Sequence, residues 1–193
     1  PELPFINDVV KLDEPAADTF GLLTARAGLT GENVELHHLA FSDREGTGLL
    51  HSSEPGSSIA SLENLVSPVR PFDAAMDETV TLTTIDRFCQ DRIDEIHLLK
   101  LDIEGHELSA LRGAERMLRE GRMRFLQFEF GENNISSRSF LRDFHELLAG
   151  RFDLYRVVPG GPTPWRYEGG RSEIFATMNY LCERKSEREG SQD

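Results

Sequence analysis

Cysteine is scarce in this sequence, which holds only Cys89 and Cys182 among its 193 residues. Two cysteines make neither a disulfide framework nor a metal cluster, so we expect buried free thiols at both positions. Long apolar runs are also missing, and none approaches the roughly 20 residues that a membrane-spanning helix needs. No signal peptide is visible, and we therefore expect a cytoplasmic protein without a membrane span.

Positively charged residues are few relative to negatively charged ones. The sequence has 21 lysines and arginines against 34 aspartates and glutamates, which gives a net charge of -13. This balance argues against nucleic acid or an anionic membrane surface as the partner. The length fits one domain with a core of its own. We expect a single domain over residues 1–182, followed by a polar tail at 183–193. The oligomeric state is not indicated by the sequence.

The centre of the sequence is residues 96–113, which read IHLLKLDIEGHELSALRG. The first six of these residues form an apolar run that is too short for a helix and is typical of a strand buried on both faces. The residues that follow carry apolar side chains at helical spacing, namely Leu108, Leu111, Ala114 and Leu118. Gly121 is expected to end that helix.

Four titratable side chains lie between the expected strand and helix: Asp102, Glu104, His106 and Glu107. The carboxyl end of a buried parallel strand is where open α/β sheets place their ligands. Titratable groups this close together are expected to have perturbed pKa values, as functional sites do. The structural alternative is that Asp102 and Glu104 only cap the helix and interact with its dipole.

The same stretch carries a family resemblance. Residues 100–107, KLDIEGHE, followed by LRGA at 111–114, closely resemble the K-x-D-x-E-G-x-E…L-x-G-A signature of FkbM-type methyltransferases. Members of that family transfer a methyl group from S-adenosylmethionine, commonly to hydroxyl groups of sugars and natural products. The resemblance extends from about Glu14 to Cys182. It implies an α/β fold, a Rossmann-like class I methyltransferase sandwich with a mostly parallel sheet, helices on both faces and an antiparallel C-terminal strand.

The resemblance also implies a set of cofactor-binding residues. Glu14-Pro15, followed by a helix with Thr19-Phe20, matches the family's strand end that holds the cofactor ribose through the glutamate. A carboxylate suits this role because it accepts hydrogen bonds from both ribose hydroxyls. The remaining expected contacts, beside the adenine ring or the methyl group, are Ala40, Ser42, Asp43 and Asp102. Without the resemblance, Asp43 is better interpreted as a turn residue.

Methyl transfer to a hydroxyl needs an aligned acceptor and help in removing its proton. We expect Asp102 to face the methyl group and the acceptor, with Glu104 and His106 as alternative bases and Lys100 tuning the charge. His106 has an ordinary pKa suited to proton transfer near neutral pH. If a divalent cation such as Mg²⁺ takes part, the expected ligands are Asp102, Glu104 and Glu129, because hard oxygen ligands suit it.

Two further segments are candidates for binding a small-molecule or glycan substrate. Residues 46–75 are rich in Ser, Gly and Pro and are expected to form a long loop or flap, with Ser57 and Ser58 facing the site. Polar side chains also follow the apolar run at 125–130. These candidates are Glu129, Asn133, Asn134 and Arg138. An equally good interpretation makes them loop and cap residues.

One element of the family is missing from the sequence. Such methyltransferases begin with a strand that ends in a glycine-rich loop beside the methionine part of the cofactor, but no glycine precedes Gly21 here. Three explanations stay open: residues are missing between Asn7 and Asp8, the chain is a fragment, or the domain is degenerate. We favour the first of these. Two other functions therefore stay open: a non-catalytic Rossmann-like binding module, and a metal-dependent hydrolase that uses the acidic cluster.

Overall fold

The computed structural model of the chain describes residues 10–27, 34–54, 57, 59–65 and 76–186. The expected strand end at Phe5-Ile6-Asn7, the candidate Ser58 and most of the polar tail lie outside these residues. The strands are β1 (Val10–Asp13), β2 (Val34–His37), β3 (Ala40–Phe41), β4 (Gly46–Ser52), β5 (Ala60–Ser61), β6 (Met76–Thr83), β7 (Ile96–Leu101), β8 (Met123–Phe130), β9 (Phe152–Val158), β10 (Gly161–Pro164) and β11 (Met178–Arg184). The helices are α1 (Ala17–Ala27), α2 (Ile85–Cys89), α3 (Glu107–Arg112), α4 (Glu115–Arg119), α5 (Asn133–Ser136) and α6 (Leu141–Leu148).

The described strands form three sheets, with orders β1-β2, β3-β6-β4-β5 and β10-β9-β11-β8-β7. The last strand, β11, lies antiparallel to both β8 and β9, as the family resemblance implies. Among the described strands, however, three pairings are parallel (β1-β2, β3-β6 and β7-β8) and five are antiparallel. The expectation of a mostly parallel sheet is therefore wrong for this part of the chain, because β4 and β9 to β11 pair as hairpins and meanders.

The central apolar run at residues 96–101 forms β7, which is the last strand of the five-stranded sheet among the described strands. Its backbone pairs in parallel with β8, in a register that sets Leu101 opposite Phe128. Leu101 is buried, but Leu98 is 56% exposed. The expectation that this strand is buried on both faces is therefore wrong for its middle residues within the described part of the chain.

The main core lies between the five-stranded sheet and the helices α3, α4 and α6. Phe128 stacks on Phe144 of α6 with ring centroids 4.5 Å apart, and on Tyr180 of β11 at 5.4 Å. Cys89 and Cys182 are buried free thiols, as expected. Burying an aromatic or aliphatic side chain of this size contributes about 1.5–3 kcal/mol, so this half of the chain holds most of the apolar stabilisation. A smaller core beneath the four-stranded sheet is formed by Ala40, Leu50, Val80 and Leu82.

The helix that the sequence predicts after the acidic cluster is two short helices, α3 and α4, separated by Gly113 and Ala114. A Cβ atom at Gly113 would collide with the backbone carbonyl oxygen of Ser42. The close approach of the Ser42 backbone therefore requires glycine at this position, and the helix is interrupted where that contact is made.

Two other expectations about elements need correction. The strand expected over residues 34–40 is two strands, β2 and β3, that belong to different sheets. Within the expected loop at 46–75, residues 46–52 form β4, which pairs with β6 along its whole length. Residues 66–75 lie outside the part that the structure describes. Within the described residues, no helix is both long and apolar enough to cross a membrane.

Candidate active site

A cavity of about 1090 Å³ lies along β7 and is bounded by the ends of β1 and β3 and by helix α2. Several of the predicted site residues line it, at its two ends and along one wall: Glu14, Ala40, Ser57, Lys100, Asp102, Glu104 and His106. Most of the other lining side chains are apolar, and Phe41 and Phe88 meet edge to face with centroids 5.3 Å apart. A largely apolar cavity with a few polar groups at its ends is typical of a small-molecule site.

Glu14 follows β1 directly and lies at one end of the cavity. Its Oε1 accepts a hydrogen bond of 2.8 Å from the backbone N–H of Ala16. Burial raises the pKa of the Glu14 carboxyl, and the nearby Glu78 carboxylate raises it further. The carboxylate has lone pairs left for a ligand, because each oxygen accepts more than one hydrogen bond.

The three residues predicted to border the adenine differ in their placement. Ala40 is buried and lines the cavity. Ser42 is fully buried, with 0% of its surface exposed, and is not among the cavity-lining residues. Asp43 is exposed and its Oδ1 lies 3.2 Å from Nη1 of Arg44. The structure thus brings Ala40 to the cavity, while Ser42 lies behind its wall.

The loop after β7 has a strained and closely supported backbone. Glu104 has a φ of +55°, a conformation that costs a non-glycine residue energy, and Gly105 follows with a φ of +97°. A Cβ atom at Gly105 would lie 2.8 Å from the carbonyl oxygen of Asn133, so only glycine fits there. Oε1 of Glu107 accepts hydrogen bonds from the backbone N–H groups of Ile103 (2.9 Å) and Gly105 (3.2 Å). The buried Glu107 carboxylate therefore stabilises the loop by accepting hydrogen bonds from its backbone.

Three carboxylates lie close to one another at the ends of β7 and β8. Burial raises the pKa of Glu104 to about 6, and the negative charges of Glu129 and Asp102 add to this effect. Burial and Asp102 also raise the pKa of Glu129. Lys100 offsets part of the negative charge through a 2.7 Å ion pair between its Nζ and Oδ2 of Asp102. The site is thus acidic, with Glu104 titrating near neutral pH.

Glu107 is only 1% exposed, although it carries an ionisable group. Burial raises its pKa to about 7, against the opposing effect of the backbone N–H groups that it accepts. Its Oε2 has no hydrogen-bond partner among the residues that the structure describes. A carboxyl group placed in this way stabilises the loop and does not contact a substrate in the cavity.

His106, which is 8% exposed, connects two segments that are distant in sequence. Its Nδ1 lies 2.8 Å from Oε1 of Glu63, and its Nε2 lies 3.0 Å from Oγ of Ser42. The order serine, histidine, carboxylate is that of a hydrolase triad. Ser42, however, is completely buried. The structure therefore gives no support to Ser42 as a nucleophile.

The segment that contains Glu63 also contacts, through Ser61, the loop between β7 and α3 (residues 102–106), which we call the acidic loop. Ser61 Oγ donates a 2.7 Å hydrogen bond to the carbonyl oxygen of Glu104 and accepts one from the backbone N–H of Glu63. Residues 61–63 are therefore attached to the loop at two points. Neither Ser61 nor Glu63 is predicted by the sequence, because no spacing pattern relates a residue to a partner 43 positions away.

The predicted substrate residues differ in their placement. Ser57 lines the cavity, and its Oγ contacts the backbone of Ile59. Asn133 donates a short hydrogen bond from Nδ2 to Oε2 of Glu104. Asn134 is buried and its Oδ1 accepts from the N–H of Gly131, while its Nδ2 has no partner within the described part of the chain. Arg138 is exposed and does not line the cavity.

The described residues contain no group of three or more histidine, cysteine, aspartate or glutamate side chains that could hold a metal ion. The predicted ligands Asp102, Glu104 and Glu129 are thus near enough to influence each other's charge without forming such a group.

Comparison with known proteins identifies the family. The model of the FkbM methyltransferase domain matches residues 10–152, about three quarters of the chain. The chain therefore belongs to the FkbM methyltransferase family, as its central motif indicated. No curated protein sequence matches it.

A solved structure is consistent with this fold. The crystal structure of the FkbM methyltransferase from Methylobacillus flagellatus KT superimposes with a TM-score of 0.52 at 18% identity. The match covers 90% of this chain and 36% of that one, so the chain spans about a third of the length of its structural relative. The likeness supports a mixed α/β fold of this family.

Proposed function

We propose that this chain is an S-adenosylmethionine-dependent O-methyltransferase that acts on a hydroxyl group of a sugar, glycan or natural product. The observation that carries the proposal is the single cavity that joins Glu14, at the end of β1, to the acidic loop after β7. Family membership supplies the reaction class, and the cavity supplies a place where a cofactor and an acceptor would meet.

The residues at the β1 end fit the ribose and adenine part of the cofactor. Glu14 offers a half-buried carboxylate to the ribose hydroxyls, and Ala40, Phe41 and Phe88 offer an apolar wall to a flat ring. The proposed fold is a Rossmann-like class I sandwich, an architecture whose first strand ends in a glycine loop beside the cofactor. The glycine loop of that strand is not found in the 193 residues, so these assignments cover the ribose, the adenine and the acceptor side.

S-adenosylmethionine supplies a methyl group bonded to a positively charged sulfur. The protein's own task is to orient the acceptor hydroxyl and to take its proton as the new bond forms. Glu104 fits the role of base better than Asp102, because its pKa near 6 leaves it ionised yet basic at neutral pH. Asp102 is engaged by Lys100 and is exposed, which suits contact with the acceptor. His106 has both ring nitrogens in contact with other side chains.

The proposal is tested by calorimetric titration of S-adenosylhomocysteine, the product, into the protein. We expect micromolar binding that Glu14→Ala weakens about 10- to 100-fold, since a hydrogen bond to a charged group contributes about 1.5–3 kcal/mol. Glu45→Ala is the matched control, because Glu45 is an exposed carboxylate that does not line the cavity.

Binding that is unchanged in Glu14→Ala would contradict the assignment of the ribose site. Absence of binding to the unaltered protein would contradict the enzymatic proposal and favour the non-catalytic binding module. Metal-dependent ester cleavage without S-adenosylmethionine would instead favour the hydrolase.

A further inference from the structure

Three segments that are far apart in the sequence meet at the imidazole of His106. Ser42 follows β3, Glu63 follows β5 and His106 lies in the loop after β7. The first two belong to the four-stranded sheet and its extension, and the third to the five-stranded sheet. His106 therefore joins the two sheets at the same end of the molecule as the cavity.

The hydrogen bonds fix which ring nitrogen of His106 carries a proton. An ionised carboxylate can only accept, so the 2.8 Å contact with Glu63 requires the proton on Nδ1. Nε2 is then an acceptor that faces the Ser42 hydroxyl 3.0 Å away, and this hydroxyl also lies 3.3 Å from Oδ1 of Asp43 as a second acceptor for its proton. In neutral His106 both ring nitrogens therefore face protein side chains, and the ring has no lone pair directed at the hydroxyl group that would accept the methyl group.

We infer that Glu63 is a positioning residue. Through His106 and Ser42 it fixes the acidic loop to the cofactor side of the cavity. His106 is then a structural link between the two segments and not the general base. The term cofactor side rests on the function proposed above. Ser42 directly follows Phe41, a residue of the cavity wall, and its carbonyl oxygen contacts Gly113. On the other side of the imidazole, Ser61 holds the carbonyl of Glu104. Glu63 thus influences the position of Glu104 through these contacts, although Glu63 itself does not line the cavity.

The inference predicts a spectroscopic signature in the unaltered protein. With ¹⁵N-labelled histidine, assigned through His106→Asn, the His106 ring should be the Nδ1-protonated tautomer. Glu63→Gln should keep this tautomer, because the glutamine oxygen still accepts from Nδ1, whereas Glu63→Ala should lose it. Glu54→Ala is the matched control, an exposed carboxylate in the same part of the chain, and should change nothing.

Two further measurements separate a positioning role from general support of the fold. Amide hydrogen exchange at residues 103–105 should accelerate about 10-fold or more in Glu63→Ala and remain near the unaltered rate in Glu63→Gln. The affinity for S-adenosylhomocysteine should fall about 10-fold in Glu63→Ala and recover in Glu63→Gln. A change of about 10-fold is typical of the energetic coupling between two sites in a protein. Recovery in the glutamine variant also controls for a loss of folding in the alanine variant.

An Nε2-protonated His106 in the unaltered protein would overturn the inference, as would an unchanged tautomer in Glu63→Ala. Covalent labelling of Ser42 by a fluorophosphonate probe would also overturn it, because Ser42 and His106 would then form a nucleophile and its base. Failure of S-adenosylhomocysteine to bind the unaltered protein would remove the proposed function, whereas the tautomer measurement would still decide the role of Glu63.

Discussion

Glu107 combines almost complete burial with an ionisable side chain, and this makes the stability of the protein depend on pH. Its pKa is raised to about 7, so the folded protein keeps a proton that the unfolded chain loses near its ordinary value of about 4.3. The stabilisation from this proton is complete below the unfolded pKa. It is lost progressively as the pH rises from about 4 to 7.

We expect Glu107→Gln to remove this contribution to the pH dependence, because glutamine has no proton to lose. Relative to Glu107→Gln, the free energy of unfolding of the unaltered protein should fall by at most about 3 kcal/mol between pH 4.5 and pH 8. Urea denaturation at several pH values measures the difference. Glu115→Gln, at an exposed position of α4, is the control. A difference between wild type and Glu107→Gln that does not vary with pH would exclude a buried, titrating Glu107.

Glu104 carries the corresponding prediction for activity. Because its pKa is raised to about 6, a base at this position becomes active as the pH rises through that value. The rate of methyl transfer should therefore increase from pH 5 to pH 7 with a midpoint near 6. Glu104→Gln should lower the rate about 10²- to 10⁴-fold and abolish this midpoint. Transfer of a labelled methyl group to an accepted hydroxyl compound is the measurement. A midpoint retained in Glu104→Gln would assign the base elsewhere, with Asp102 as the next candidate.

At the scale of elements, the junction between α3 and α4 depends on the absence of a side chain at Gly113. Gly113→Ala would push a methyl group into the carbonyl oxygen of Ser42, a backbone atom that cannot move by itself. We expect a loss of about 1–3 kcal/mol in the free energy of unfolding. The loss would be accompanied by weaker S-adenosylhomocysteine binding, because Ser42 also contacts His106.

Gly150 provides the matched control for that substitution. It follows α6, no atom lies within 4 Å of its ideal Cβ position, and its φ is not in the left-handed region. Gly150→Ala should therefore change the free energy of unfolding by no more than about 0.5 kcal/mol. Chemical denaturation of both variants under the same conditions decides the matter. Equal effects would show that the Ser42 contact at Gly113 is not tight.

The sequence predicted well where neighbouring residues decide the structure. The apolar run at 96–101 is a strand, the acidic residues follow it directly, and Glu14 lies at the end of β1 as expected. Period and turn chemistry are local properties, so they can be recognised in a single sequence.

The prediction failed where distant residues decide. Helical spacing continues through Gly113, and only the Ser42 backbone, which is 71 positions earlier, shows why the helix is interrupted there. Leu98 is exposed although it lies in an apolar run, because the elements that cover a strand are set by the fold and not by the run itself. Glu63 and Ser61 were missed for the same reason, since their partners lie 43 residues away.

At the scale of the whole molecule, the excess of negative charge acts against the compact state. With a net charge of -13, self-repulsion should lower stability at low ionic strength, and added salt should screen it. We expect the thermal midpoint to rise by a few degrees between about 10 mM and 300 mM sodium chloride. Replacing the exposed Glu54 and Glu168 by lysine changes the net charge from -13 to -9 and should flatten this dependence. A midpoint that falls with salt would mean that local ion pairs outweigh the repulsion.

The meeting of Ser42, Glu63 and His106 also bears on how the protein reaches its native state. These contacts span 64 and 43 residues, so the chain must close large loops before they form. The pairing of β11 with β8 joins residues at comparable separations, such as Cys182 with Leu126. The wall of the cavity and the five-stranded sheet therefore both depend on contacts between distant parts of the chain. A ligand that binds the cavity only in the folded protein would shift the folding equilibrium toward the native state by mass action.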